Sequence, residues 1–234
     1  LALIISDVAG DDPTHIASGP LSPDPTTFGD ALGVLKRYRI GSPGEVLTHL
    51  QRGSQGEVEE TPKPGDAAFA RVENRVIATA QQSLQAAAQF FRDEGIPAVV
   101  LGDTVTGEAR EVARVFASLA RQIRRHGEPW RAPVALLSGG ELTVTVRGRG
   151  RGGRCSAFLL ALAIELEGME GVHALACDTD GIDGTEGNAG AVLCPETLAR
   201  AKGLGLSAGD LLSANDSFTF FEHLGDLVMT GPTR

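Results

Sequence analysis

Aromatic residues, cysteine and long apolar runs are all scarce in this chain of 234 residues. Aromatics make up 5% of it, and none lies within the arginine-rich stretch 146–154, which disfavours an RNA-binding tract of the RGG type. The three cysteines form no Cys-x-x-Cys pair, which disfavours a zinc site or a disulfide framework and favours a reducing cytoplasm. No apolar run approaches the ~20 residues of a membrane span.

Positive charge is also in deficit, with a formal net charge of −9. This balance argues against general binding of nucleic acid and makes the local group of arginines conspicuous. A hydrophobic content of 42% and a length of 234 residues suit one large α/β domain or two small ones. The chain opens without Met inside a predicted strand, so we expect it to be part of a longer protein.

The stretch 146–154 alternates arginine and glycine and precedes an apolar segment, 158–164, that predicts a helix. Glycines let backbone N–H groups approach a ligand, and a helix N-terminus attracts anions. Arginine adds bidentate recognition of phosphate or carboxylate. The stretch therefore predicts an anion site. A flexible loop with solvated arginines is the alternative interpretation.

Acidic residues follow two predicted strands. Asp178, Asp180 and Asp183 come after the strand 172–177, and Asp7, Asp11 and Asp12 come after the first strand. Carboxylates in such loops can hold Mg²⁺, although Asp-Gly pairs also form ordinary turns. An anion site and an acidic cluster in one domain together suggest phosphoryl transfer.

The spacing Gly148-x-Gly150-x-x-Gly153 also fits the dinucleotide fingerprint, which would indicate an NAD(P)-linked reductase. Two features count against it. The preceding strand alternates Thr and Val, where a parallel dinucleotide fold has an almost wholly apolar strand, and the loop is crowded with arginines.

We interpret the strands 133–137 and 143–146 as a hairpin around the turn Ser138–Glu141.

Hydrophobic periodicity and turn residues predict an alternating α/β order. Helices are predicted at 28–38, 43–52, 81–94, 107–126, 155–167, 195–202 and 216–223, and further strands at 1–8, 74–80 and 98–101. The segment 53–65 is the best candidate for a linker.

Several motifs in fixed order resemble the glycerate kinase family whose C-terminal part is the MOFRL domain. The matching segments are Ser6–Pro13, Ile16–Asp24, Ser138–Val144, Gly148–Arg154, Thr179–Gly184 and Thr230–Thr233. They span nearly the whole chain.

The resemblance implies a Rossmann-like N-terminal domain, of which 1–56 is the C-terminal remainder, followed by a C-terminal α/β domain at 57–234. The MOFRL motif region would be 132–234. It implies ATP-dependent phosphorylation of D-glycerate to 2-phosphoglycerate, with Mg²⁺ as the metal. The expected location is the cytoplasm, without nucleic-acid or membrane partners, and a homodimer is a possible assembly. The alternatives are an NAD(P)H-dependent hydroxypyruvate reductase and a non-catalytic module that binds an organic acid or phosphate.

The motif positions supply the candidate site residues. Catalytic roles would fall to Arg154, Asp7 and Glu141, and metal binding to Asp180, Asp183 and Asp11. Substrate or nucleotide contacts would come from Ser6, Ser18, Gly19, Ser138, Gly139, Gly140, Gly150, Gly152 and Gly153.

The chain departs from the family's pattern at three positions. Cys155 stands for an asparagine, Ala157 for an acid and Leu142 for a threonine. The resemblance also places the family's catalytic lysine upstream of Leu1, so we expect the chain by itself to be inactive.

Overall fold

The computed structural model describes residues 1–41 and 43–233, which form a mixed α/β structure divided into two compact units. The first unit runs from Leu1 to Ser83 and the second from Leu84 onward. The predicted α/β class is confirmed. The domain boundary expected between residues 56 and 57 stays a prediction. No helix in the described part of the chain is long and apolar enough to cross a membrane.

The first unit contains a pair of parallel strands, in which Ala2 lies opposite Asn74. Its elements are β1 (Ala2–Ile5), a 3-10 helix (Ile16–Ser18), α1 (Phe28–Tyr38), α2 (Gly44–Ser54), a second 3-10 helix (Ala67–Phe69) and β2 (Asn74–Ala78). Thr27 and Asp30 form a capping box that starts α1 where the sequence predicts a helix. The Phe28 ring fills the space beside Gly53, where a Cβ atom would overlap it, so α1 and α2 pack closely.

The second unit contains most of α3 and two separate sheets. Its elements are α3 (Ala80–Asp93), β3 (Ala98–Glu108), α4 (Ala109–His126), β4 (Ala135–Thr143), α5 (Arg154–Leu166), β5 (Ala174–Cys177), β6 (Gly190–Leu193), α6 (Thr197–Gly203), α7 (Ala208–Ser213), α8 (Ser217–Leu224) and β7 (Leu227–Val228). Strands β3 and β4 are parallel, whereas β5, β6 and β7 form an antiparallel sheet in that order.

The core of the second unit surrounds α5, which is apolar on nearly all sides. Such a helix must be covered on all sides to be stable in water. Ala113 and Ala117 on α4 are fully buried, and their small side chains let α4 lie close to α5. Leu159 and Leu160 are also fully buried, and each contributes about 2 kcal/mol of hydrophobic stabilisation. This core fixes the start of α5, where the predicted anion site lies.

The predicted hairpin at residues 133–146 is wrong. The segment Ser138–Glu141 does not turn but continues inside β4, which pairs in parallel with β3. Strand β3 extends to Glu108, beyond the predicted end at residue 101, and so gives β4 a partner along its length. Gly140 adopts a φ of 142° and lies against the backbone of Val105, where a Cβ atom would overlap. The two glycines thus accommodate an irregular strand rather than a turn.

Candidate functional site

A cavity of about 500 Å³ lies within the second unit. Its size is in the range of small-molecule sites. It is bordered by the segment after β4, the starts of α4 and α5, the loop after β5, and the turn between α7 and α8. The lining residues are Glu108, Ala109, Arg110, Leu142, Val144, Val146, Gly150, Gly152, Gly153, Arg154, Ala157, Asp178, Asp180, Ile182, Gly184, Thr185, Leu212, Asn215 and Ser217.

The segment 144–153, called here the arginine loop, is held at its beginning by side chains from other elements. The Glu108 carboxylate accepts hydrogen bonds from the backbone N–H and the hydroxyl of Thr145, the latter at 3.0 Å. Asn215 Oδ1 accepts from the N–H groups of Arg147 and Gly148 at 2.8 and 2.9 Å. Asn215 Nδ2 donates to the Thr145 carbonyl at 3.3 Å. The loop is therefore bound to the protein rather than free.

The second half of the arginine loop is bound to α8. The Arg151 N–H donates to Asp216 Oδ1 at 3.0 Å, and the Phe218 N–H donates to the Arg151 carbonyl at 3.0 Å. The Arg151 guanidinium lies 4.6 Å from the centre of the Phe218 ring and donates to Glu222 at 3.0 Å. Both arginine side chains are exposed, but Arg151 is held by these contacts, whereas Arg149 forms no hydrogen bond or ion pair with the described residues.

The glycines of the arginine loop lie against protein atoms. A Cβ atom at Gly148 would overlap the Ala214 carbonyl, and one at Gly150 would overlap Asp216. At Gly153 the overlapping residue would be Asp183. Glycine is therefore needed at these positions for packing of the loop, whether or not a ligand is bound.

Most N–H groups of this region already have acceptors within the protein. Those of residues 147, 148, 150, 151 and 153 donate to Asn215, Asn215, Ala214, Asp216 and Ser156, respectively. The N–H groups of Gly152 and Arg154 donate to no acceptor in the described part of the chain, and both residues line the cavity. The Arg149 N–H is unpaired as well among the described residues, but Arg149 does not line the cavity. Within residues 147–154, the broad cradle of N–H donors expected from the sequence is thus reduced to two unpaired groups on cavity-lining residues.

Arg154 is the first residue of α5, and its guanidinium lies between two carboxylates. Its Nε and one terminal nitrogen donate to Asp178 Oδ2 at 3.0 and 2.7 Å. The other terminal nitrogen pairs with Glu141 of β4. The structure therefore brings together Arg154 and Glu141, two of the predicted catalytic residues, and adds Asp178. The position of Asp178 directly after β5 is the sequence signal for it.

Asp183 is completely buried and forms the N-terminal cap of α5. Its Oδ1 accepts from the Cys155 N–H at 2.9 Å, and its Oδ2 accepts from the N–H and hydroxyl of Ser156 at 2.8 and 2.6 Å. The negative carboxylate also interacts favourably with the positive end of the helix dipole. Both oxygens are engaged, so capping is the role the geometry supports, and metal binding by Asp183 stays a prediction.

Asp180 differs from its neighbours because its side chain is exposed and lies at the cavity. Its Oδ1 accepts from the Ile182 N–H at 2.8 Å, while the second oxygen accepts no hydrogen bond from the described residues. The backbone carbonyl of Asp180 accepts from the Thr233 N–H at 2.8 Å. Of the predicted metal ligands in this unit, Asp180 is the one with an available oxygen.

Cys155 Sγ and carboxylate oxygens of Asp178 and Asp183 lie within 4.8 Å of one another. Burial, helped by the charge of Asp183, raises the pKa of the Cys155 thiol far above its usual range, so the thiol is neutral at pH 7. Mg²⁺ prefers oxygen ligands, and the Asp183 oxygens already accept hydrogen bonds from α5. This cluster does not fit a magnesium site.

Three further predicted contacts, at Ser138, Gly139 and Gly140, lie inside β4. Among the described residues of this strand, the cavity lining includes only Leu142. Their role in ligand binding stays a prediction.

The remaining candidates lie in one loop of the first unit. Ser6 is buried, Asp7 is exposed, and Asp11 has a φ of 53°. Ala17, Ser18 and Gly19 have consecutive positive φ values of 49°, 63° and 61°. Non-glycine residues in this conformation cost about 1 kcal/mol or more, and such backbone strain clusters at functional sites.

Two family models match the chain. The MOFRL family matches residues 134–234, and the Domain of unknown function (DUF4147) matches residues 1–51. A solved glycerate kinase structure from Thermotoga maritima superposes on the chain with a TM-score of 0.82 at 36% identity, covering 99% of this chain and 53% of that one.

Relatives with different names align over the whole chain. A provisionally named hydroxypyruvate reductase of Agrobacterium vitis is 47% identical and is covered over 52% of its length. A glycerate 2-kinase of Pyrococcus horikoshii is 36% identical and is covered over 53%. A glycerate kinase of Macaca fascicularis is 31% identical and is covered over 69%.

The chain belongs to the glycerate kinase family with a MOFRL domain. It spans about half the length of the first curated relatives it matches, between 52% and 59% of each.

Proposed function

We propose that this chain is part of an ATP-dependent kinase that phosphorylates D-glycerate at its 2-hydroxyl group. The observation that carries the proposal is that Gly152 and Arg154 line one cavity, while their N–H groups donate to no acceptor among the described residues. Similarity to a glycerate 2-kinase and to a solved glycerate kinase supports it.

Arg154 suits a transferring phosphoryl group because its guanidinium forms paired hydrogen bonds with anionic oxygens. Its contacts with Asp178 and Glu141 orient it before an anion arrives. Donors that are already oriented stabilise developing charge in the transition state without a further cost of reorganisation. In this proposal Arg154 stabilises the charge, and Glu141 or Asp178 orients the substrate hydroxyl.

The chemistry of the lining residues fits a magnesium-bound nucleotide. Asp180 and Asp178 place carboxylate oxygens at the cavity, and Mg²⁺ is commonly held by one or two carboxylates together with phosphate oxygens. When bound, the ion would neutralise charge on the transferring phosphate. Asp180 is our first choice of ligand because one of its oxygens is available. Roles for Asp11, Asp7, Ser6, Ser18 and Gly19 remain part of the proposal.

The reductase alternative has support from relatives that carry that name. One observation favours the kinase. The dinucleotide fold requires the strands before and after the helix to be parallel in one sheet, whereas β4 and β5 belong to different sheets.

A paired assay on the complete gene product tests the proposal. ADP release from ATP should depend on D-glycerate, while NADH oxidation with hydroxypyruvate should be absent. The reverse result would establish the reductase, and neither activity would support a non-catalytic binding module. Arg154→Ala should lower kcat by about 10³-fold with a smaller effect on KM, as for an arginine that acts in the transition state.

Arg149→Ala is the matched control, because Arg149 lies in the adjacent arginine loop, is exposed and does not line the cavity. It should cost no more than about tenfold, through weaker attraction of the anion. Arg154→Lys should restore activity only in part, because an ammonium group cannot reproduce the paired donors. Equal losses for Arg149→Ala and Arg154→Ala would show that the loop provides only a diffuse positive field.

The proposed setting is the cytoplasm, with a small hydroxy acid and a nucleotide as partners. The cysteines at 155, 177 and 194 are free thiols in the structure, as a reducing compartment favours. Assembly into a homodimer stays a prediction.

A further inference from the structure

The turn between α7 and α8, residues 214–216, lies along the arginine loop and is hydrogen-bonded to it. We propose that Asn215 and Asp216 are positioning residues, which pair with loop N–H groups and so leave those of Gly152 and Arg154 directed to the ligand. The inference rests on the proposed function, because it supposes that the cavity binds a phosphoryl group.

Asn215 is suited to this role by its backbone and by its side chain. Its φ of 57° is left-handed, a conformation that asparagine tolerates better than most residues. Its amide oxygen accepts from two successive loop N–H groups, of Arg147 and Gly148, and its amide nitrogen donates to the carbonyl of Thr145. One half-buried side chain therefore fixes three points on a loop about seventy residues earlier.

Asp216 continues the attachment on the far side of Gly150. The Gly150 N–H donates to the Ala214 carbonyl at 3.0 Å, and Asp216 Oδ1 accepts the next N–H, from Arg151, at 3.0 Å. The Phe218 N–H then donates to the Arg151 carbonyl. The loop thus lies along the turn from residue 147 to residue 151 and leaves it immediately before Gly152.

Two features separate this arrangement from a purely structural contact. Asn215 itself lines the cavity, together with Gly152 and Arg154. The hydrogen bonds also decide which loop donors remain for a ligand, because those at 147, 148 and 151 point to the turn. Loss of the turn's acceptors should therefore alter anion binding at residues 152 and 154, beyond any loss of stability.

The experiment uses three variants of the complete gene product. Asn215→Gly removes the side chain but keeps a residue that adopts positive φ without steric strain. Asn215→Asp keeps the acceptor for Arg147 and Gly148 and loses the donor. Ser207→Ala is the matched control: Ser207 caps the neighbouring helix α7, is exposed, and contributes no contact to the arginine loop.

The probe is inorganic phosphate in the presence of Mg²⁺, followed by amide NMR shifts at Gly152 and Arg154. In the unsubstituted chain, we expect these two signals to move with a Kd of about 1 mM or weaker. Asn215→Gly should raise that Kd about tenfold, as expected from the loss of two hydrogen bonds that order the loop. Asn215→Asp should restore the loop conformation, read from the amide shifts of Arg147 and Gly148, although its added carboxylate at the cavity weakens phosphate binding. Ser207→Ala should leave the Kd unchanged although it lowers Tm.

The outcomes distinguish the inference from the function on which it rests. If phosphate shifts these two amides equally in the unsubstituted chain and in Asn215→Gly, the positioning role is wrong while the anion site stands. An equal loss in Ser207→Ala would also overturn it, because general destabilisation would then explain the effect. If phosphate moves neither amide in the unsubstituted chain, the proposed phosphoryl site fails and the inference fails with it.

Discussion

The two loops that border the cavity carry opposite charge and are held in opposite ways. The arginine loop is fixed from outside, by Glu108, Asn215 and Asp216. The acidic loop after β5, residues 178–185, instead provides the acceptors: Asp178 for Arg154 and Asp183 for the start of α5. One loop is positioned by its neighbours, and the other positions them.

The comparison shows that residues of one type in one loop can have separate functions. Asp178 pairs with an arginine, Asp180 closes its own turn at the surface, and Asp183 caps a buried helix. Arginines differ in the same way, since Arg151 packs on Phe218 while Arg154 lies at the cavity. The following substitutions test this division of roles.

The largest effect should come from Asp183→Ala. This change leaves the N–H groups of Cys155 and Ser156 without their acceptor and removes one of the partners of the buried Ser156 hydroxyl. We expect a loss of about 3–5 kcal/mol in the free energy of unfolding, measured by urea denaturation. Asp180→Ala, three residues away and exposed, should cost about 0.5 kcal/mol or less. Similar losses in the two variants would contradict the distinction between them.

A smaller loss should follow Gly150→Ala, because the new methyl group overlaps Asp216 and forces the arginine loop away from α8. The expected cost is about 1–3 kcal/mol, as for other overpacked positions. Gly209→Ala is the control: it lies in α7 with nothing within 4 Å of the new Cβ atom. That change should stabilise the protein by up to about 1 kcal/mol. A Gly150→Ala variant with unchanged Tm would show that the loop has room to move.

Arg151→Ala should cost about 1 kcal/mol, through loss of the contact with the Phe218 ring and of a partly exposed ion pair with Glu222. Thermal unfolding of Arg151→Ala and Arg149→Ala side by side measures the difference. The exposed Arg149 should show almost no change. If both variants were equally stable, the contacts of Arg151 would contribute nothing measurable.

The smallest effect concerns reactivity rather than stability. Burial raises the pKa of both the Cys155 and the Cys177 thiols, so each holds less reactive thiolate at pH 8 than a free cysteine. Cys155, at the start of α5, is half-buried, and Cys177 is the more exposed of the two. Iodoacetamide should therefore modify Cys155 more slowly than Cys177, with the rate at each site measured by peptide mass spectrometry. Faster labelling of Cys155 would show that the start of α5 opens readily.

Periodicity and capping residues were sufficient to predict the α/β class and most of the helices. Thr27 before α1 and the amphipathic pattern of α4 are local signals, which can be recognised from neighbouring residues in the sequence alone. The prediction of a hairpin at Ser138–Glu141 was wrong. Two adjacent glycines ordinarily indicate a turn, but here the neighbouring strand β3 is long enough to pair with β4 through them. The short strand β6 pairs with both β5 and β7, and β7 pairs with β6, so these strands are defined by their neighbours and carry little periodicity of their own.

The residues of the candidate site likewise fall into two groups, those found in local motifs and those whose contacts are distant in the sequence. Arg154 and Glu141 belong to recognisable motifs, and the structure places them in contact. The roles of Asn215 and Asp216 depend on partners more than sixty residues away, and no local pattern reports such contacts. Asp180 and Asp183 look alike in the sequence, because each directly precedes a glycine. They differ in burial, since Asp183 is buried and Asp180 is exposed.

The cap that Asp183 provides has a consequence for how fast an anion can arrive. Its charge offsets the positive end of α5, and the cavity is lined by three carboxylates but only two guanidinium groups. With a formal net charge of −9 on the chain, long-range electrostatic steering should oppose rather than accelerate the approach of an unchelated phosphate. Added salt screens that repulsion, so the association rate of such an anion should rise with ionic strength, and the role proposed for Arg154 would begin only after contact is made.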